Sequence, residues 1–101
     1  MKRRVRWSDK AAADYYVQLA FIADDSSTNA ELVDKRVIAA IELLASRPIG
    51  RAGRVVGTYE KTVAGTSLIV AYMLDSETLH VLRIIHTKRN WLEGEWPKDL
   101  K

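Results

Sequence analysis

The 101 residues carry 48% hydrophobic and 29% charged side chains with a formal net charge of +3, a composition that predicts one folded domain over 1–101 and excludes a disordered chain. With no cysteine and only His80 and His86, the chain lacks the material for a disulfide framework, a thiolate metal site or a cysteine nucleophile. No H-x-x-x-H or H-E-x-x-H spacing occurs either, so neither a metal nor a cofactor is expected.

The longest apolar stretch, Leu68 to Leu74, is far short of the ~18 residues of a membrane span. The basic start Lys2-Arg3-Arg4 leads into no apolar signal core, so a cytoplasmic protein without a membrane partner is expected. Charge is laid out unevenly: residues 1–7 hold +4, Ser8 to Ser46 hold −4, Arg47 to Gly57 hold +3, and the remainder balances. Such blocks predict an acidic element beside basic ones. They lack the dense basic stripe of a nucleic-acid reader, so tight binding to bare DNA is not expected.

In chain order, Arg3 to Trp7 alternates, with Val5 and Trp7 on one side and Arg4 and Arg6 on the other, which predicts a short half-buried strand. Ser8 offers an N-cap, and Ala12, Tyr15, Tyr16, Leu19, Ile22 and Ala23 recur at helical spacing, predicting a helix to about Asp24. Thr28 and Glu31 fit a capping box for a second helix, whose stripe of Ala30, Val33, Val37, Ile41 and Leu44 runs until Arg47-Pro48. So short a link predicts an antiparallel helical hairpin. Pro48 to Arg54 reads as a loop, and three strands follow: Val55 to Val63, Thr66 to Leu74 and Thr78 to His86. The order β-α-α-β-β-β predicts an α+β fold. Its helical hairpin packs on one face of a mainly antiparallel four-stranded sheet, with the first strand at an edge or beside the last.

Reading Ala64-Gly65 as a two-residue turn and Asp75 to Glu77 as a three-residue one pairs Tyr59, Val70 and Leu82 in one row, and Tyr72 with His80 in another. That face is mostly apolar and is expected to meet the helices. The opposite face places Glu60, Ile69 and Arg83 in a row, with Ala71, Met73 and Ile85 nearby. Its apolar middle predicts a cover, either a folded tail or a partner. Trp7 is expected in the core. The glycine-flanked Arg51 and Arg54 either brace a turn or present a basic patch, and in this pairing they lie roughly 30 Å from His86 and Arg89.

The run Gly50-Arg51-Ala52-Gly53-Arg54-Val55-Val56-Gly57-Thr58-Tyr59-Glu60 resembles the G-R-x-G-R-x-x-G-T-x-E signature of ParE-type toxins in the RelE/ParE superfamily. Val5-x-Trp7-Ser8, a second helix ending near Pro48, and Val81 to His86 followed by Arg89-x-Trp91 are similar to the family's other landmarks, so the resemblance spans about Val5 to Trp91. One departure is Leu92, which follows Trp91 where the family commonly has proline; a Trp-Pro comes later, at Trp96-Pro97. The resemblance implies the toxin of a bacterial type II toxin–antitoxin module. It also implies a cognate ParD-like antitoxin whose acidic segment folds onto the toxin to form a hetero-oligomer. The superfamily contains ParE-like members, which poison DNA gyrase without being enzymes, and RelE-like members, which cut messenger RNA in the ribosomal A site.

Metal-free RNA cleavage requires a base, an acid and clustered cations on one face. On the derived face only Glu60 and Arg83 are ionisable near the middle, and Ser67 to Met73 contains no Lys, Arg or His. The expectation is therefore a gyrase inhibitor that is not an enzyme. The alternative nuclease would use Arg83, His86 and Arg89, and a third reading is a degenerate toxin that only binds antitoxin. Arg51, Arg54, Ile69, Ala71, Met73 and Arg83 are the expected antitoxin contacts. By resemblance, Arg89, Trp91 and Trp96, in or beside a tail of about residues 90–101, are the expected gyrase contacts.

Overall fold

The computed structural model describes residues 2–47, 50–53 and 55–86. Seven elements follow in order: β1 (Arg4–Trp7), α1 (Asp9–Asp25), α2 (Ser27–Ser46), β2 (Arg51–Ala52), β3 (Tyr59–Thr62), β4 (Leu68–Leu74) and β5 (Thr78–His86). The sheet order is β1-β5-β4-β3-β2, with β1 parallel to β5 and every other pair antiparallel. The architecture is α+β as expected, with five strands rather than four. No helix among the described residues is long and apolar enough to cross a membrane.

The hairpin link is a single residue. Ser26 closes α1 by donating its N–H to the Ile22 carbonyl at 2.9 Å and opens α2 by accepting from the Asn29 N–H at 3.1 Å. The expected cap at Thr28 is therefore two residues too late, because an extended Ser26 serves both helices and leaves no separate linker to cap. Tyr15 of α1 donates its hydroxyl to Asp34 of α2. Burial, followed by that carboxylate, pushes the Tyr15 phenol well above its ordinary value.

On the sheet, Val33, Val37, Ile41 and Leu44 of α2 meet Leu68, Val70, Tyr72, Leu79, Val81 and Ile84. Helix α1 adds Ala11, with Tyr15, Leu19 and Ile22 packed at the margin, while Trp7 stacks at a tilt on Tyr15 with ring centres 5.3 Å apart. Ala12, Tyr16 and Ala23, read as part of the α1 core stripe, face solvent. A second cluster of Val55, Ile69, Ala71 and Ile85 is buried apart from the main core.

Two turns change the expected register. Val63 and Leu68 are bonded across a four-residue loop that includes Gly65 at φ +75°, so Tyr59 pairs with Tyr72 and Lys61 with Val70, two residues from the expected alignment but on the same faces. The β4–β5 turn is tighter than expected: Asp75 bonds Thr78 directly, and its carboxylate also accepts from the Glu77 and Thr78 N–H groups. That one-residue slip carries Leu79 and Val81 to the core and moves His80 to the face opposite Tyr72. A β-bulge opposite Ala71–Tyr72 then takes up Leu82 and restores the expected faces for Arg83, Ile84 and Ile85.

Candidate functional site

The glycine-arginine segment folds into a clasp rather than an open loop. Arg51 and Ala52 turn back along β3, opposite Glu60 and Tyr59, and the Gly53 N–H bonds the Thr58 carbonyl at 2.8 Å. Between them, Thr58 closes a turn onto the Val55 carbonyl through both its hydroxyl, at 2.6 Å, and its N–H, at 3.1 Å. Two glycines are required by geometry. Gly57 sits at φ +88°, and a Cβ on Gly53 would lie 2.2 Å from the Thr58 hydroxyl oxygen. The strand expected from Val55 therefore begins only at Tyr59, because Val55 to Thr58 form this turn.

Arg51 sits on the outermost strand, across from Glu60. Its guanidinium lies 3.6 Å from the buried Glu60 carboxylate, and its side chain remains largely exposed at the sheet edge. Arg51, Glu60, Ala71 and Arg83 fall in one row across β2, β3, β4 and β5, so Arg51 and Arg83 are about 14 Å apart, three strand spacings.

At the other side of this row, β1 stops at Trp7, so the lane beside Leu82 to His86 is filled by the start of α1. Ser8 is fully buried there, accepting the Ala11 N–H and donating its hydroxyl to the Leu82 carbonyl, each at 2.8 Å. One turn on, Asp14 accepts from Arg83 Nε at 2.7 Å, Arg83 Nη2 at 3.3 Å and the Ile84 N–H at 3.3 Å. Lys10 approaches the same carboxylate at 3.8 Å. These groups and His86 line a cavity of about 240 Å³. Asp14 was missed by sequence reasoning. The available signal is its place three residues after Ala11, toward the buried side of the helix, where a carboxylate requires a cation partner.

Arg83 is 1% exposed and ion-paired, and Tyr72, the titratable side chain of β4, is buried with its phenol pushed up by desolvation. His80 lies near the opposite end of β5 from His86, with Nε2 2.9 Å from the Asp75 carboxylate. No cluster of three or more His, Cys, Asp or Glu side chains suited to a metal occurs among the described residues.

Of the expected antitoxin contacts, Ile69 and Ala71 are buried in the second cluster, Met73 is half-buried, Arg83 is buried and paired, and Arg51 is exposed. Arg54, Arg89, Trp91 and Trp96 lie outside the described residues. An open groove runs instead between α2 and β3. Its volume is about 470 Å³; Ala39, Ala40 and the half-exposed Leu43 line it, with Arg36 and Lys61 as cations.

The family model for the ParE toxin of the type II toxin–antitoxin system parDE matches residues 5–91. Among curated proteins, "Putative toxin Y4kP" of Sinorhizobium fredii (strain NBRC 101917 / NGR234) is 30% identical over 91 residues, covering 89% of this chain and 94% of that one. Among solved structures, the "Chromosomal ParDE TA system from P. aeruginosa" superposes with a TM-score of 0.74 at 18% identity, over 84% of this chain and 96% of that one, which shows a shared fold. With the family pattern running from the first strand past the last, and a relative matched along nearly its whole length, the chain belongs to the ParE toxin family of type II toxin–antitoxin systems.

Proposed function

We propose that this ParE-family toxin acts by binding, inhibits bacterial DNA gyrase in the cytoplasm, and is neutralised by a cognate ParD-like antitoxin. The observation that carries the reading is the Asp14–Arg83 pair: the β5 cation of the sheet row is already neutralised, at 2.7 Å, by the chain's own carboxylate. A nuclease needs that charge free for a phosphate in the transition state. Ile69, Ala71, Ile84 and Ile85, near it in the sheet, are apolar and buried.

The groove between α2 and β3 supports the antitoxin half of the reading. Its apolar lining and its two cations, Arg36 and Lys61, suit an acidic amphipathic segment that folds as it docks.

Purified gyrase relaxing and supercoiling plasmid in the presence of the full chain, run beside ribosomes programmed with message, tests the target. Blocked supercoiling with intact message is expected. Message cut in the A site with gyrase unaffected overturns the reading. Leu43→Asp is expected to weaken neutralisation by the antitoxin at least ten-fold while leaving gyrase inhibition in place.

A further inference from the structure

Helix α1 carries apolar residues on two sides, with Asp9, Lys10 and Asp24 set among the outer ones. Ala11, Tyr15, Leu19 and Ile22 face the core, yet Ala13, Tyr16, Val17, Ala20 and Phe21 occupy an arc of about 140° on the other side. The large members of that arc are open: Tyr16 is 77%, Val17 66% and Phe21 76% exposed. A contiguous patch of exposed large apolar side chains marks an interaction surface.

We propose that this face is a homodimer interface in which α1 packs antiparallel on α1 of a second copy, with the two-fold axis at Val17. Three features of the helix converge on that axis. Val17 is the midpoint of Asp9–Asp25, so an antiparallel pair aligns along its full length. Lys10 and Asp24 lie seven residues to either side, which sets each lysine, already 3.8 Å from its own Asp14, against the partner copy's aspartate as well, twice by symmetry. Ala13 and Phe21 are also equidistant from Val17, so each large ring meets a small residue.

Helix polarity adds a fourth argument. The last turn of α1 has no basic residue and carries Asp24 and Asp25, which oppose the negative end of their own helix dipole. Beside the positive N-terminus of an antiparallel partner the same charges become favourable. The acidic surroundings also select the occupant. Glu31 and Asp34, next to Tyr16 and Ala20 in the adjoining groove, repel an acidic antitoxin segment, which the groove between α2 and β3 attracts. Tyr16, Val17 and Phe21 together offer roughly 400 Å² per protomer, about 800 Å² in all, below the ~1,200 Å² at which standard interfaces begin. The dimer is thus concentration-dependent.

Because the chain has no cysteine, Val17→Cys places a single thiol on the proposed axis. Mild oxidation of the full chain is expected to link it into dimers. Val56→Cys, at a 97% exposed position off the interface, stays monomeric under the same conditions. In sedimentation, Lys10→Asp is expected to weaken dimerisation about ten-fold through its two symmetric pairs, and adding Asp24→Lys restores it. Far-UV circular dichroism of each variant confirms that α1 is intact. Three results overturn the proposal: a monomer at about 500 µM, equal cross-linking at positions 17 and 56, or a double charge swap that fails to rescue. Loss of antitoxin binding in Phe21→Glu, with a monomeric parent chain, assigns the face to the antitoxin and overturns it as well.

Discussion

Replacing Asp14 with leucine removes the carboxylate that accepts three hydrogen bonds, two from Arg83 and one from the Ile84 N–H. Arg83 is 1% exposed, so its charge cannot turn to water when the partner is lost. Breaking a buried ion pair from one side costs about 3–5 kcal/mol. Arg83 retains further interactions and Asp14 is itself partly exposed, which places the expected loss at the low end, about 3 kcal/mol. For a domain of this size that is a fall of roughly 12–24 °C in Tm. The reverse variant, Arg83→Met, leaves Asp14 with Lys10, the Ile84 N–H and some water, so about 2 kcal/mol is expected. The double variant exchanges the pair for apolar bulk and is expected to recover at least ~1.5 kcal/mol relative to the sum of the singles. Urea unfolding followed by circular dichroism measures all four corners of the cycle. Losses that simply add, or a fall below ~1 kcal/mol for Asp14→Leu, refute the reasoning.

Gly53→Ala forces a methyl against the buried Thr58 hydroxyl and is expected to cost about 2 kcal/mol in urea unfolding, with Thr58→Ser unable to relieve it because the hydroxyl remains. Ser8→Ala removes both the cap of α1 and the donor to the buried Leu82 carbonyl, for an expected loss of about 2 kcal/mol. Asp75 is held down at about 2 by its bond to His80 and then by the Glu77 and Thr78 N–H groups, so its contribution to stability is full above its ordinary value of 3.8 and is lost as pH falls through about 2. Acid titration followed by circular dichroism is expected to show a shallower decline in stability between pH 4 and pH 2 in Asp75→Asn than in the parent chain.

Local patterns were the legible part of this chain. Val33, Val37, Ile41 and Leu44 announce the buried side of α2, and Ser8 announces the start of α1, because helical spacing and capping act within a few residues. The sheet was less legible, since its register depends on turns whose length composition does not reveal. Ala64-Gly65 belongs to a four-residue loop, Ser76-Glu77 to a two-residue one, and the bulge at Leu82 has no marker residue at all. The clasp from Gly50 to Glu60 was readable as a motif but not as a mechanism. Gly53 and Thr58 touch only once the chain has doubled back. Asp14 was overlooked for a similar reason, because its partner Arg83 stands 69 residues away.

The parallel placement of β1 beside β5 bears on how the toxin comes into being. Ser8 is bonded to Leu82 across 74 residues, and Arg4 to Trp7 pair with Thr78 to Val81. At ~5–20 residues per second of synthesis, roughly 4–15 s separate the emergence of the first strand from that of its neighbour. The helical hairpin is complete in sequence by Ser46, well before that neighbour exists. A newborn chain therefore presents finished helices and a waiting strand, and one cut short before Val81 has no lane in which to seat Trp7. The five-stranded sheet thus stays incomplete until almost the last described residues have been made.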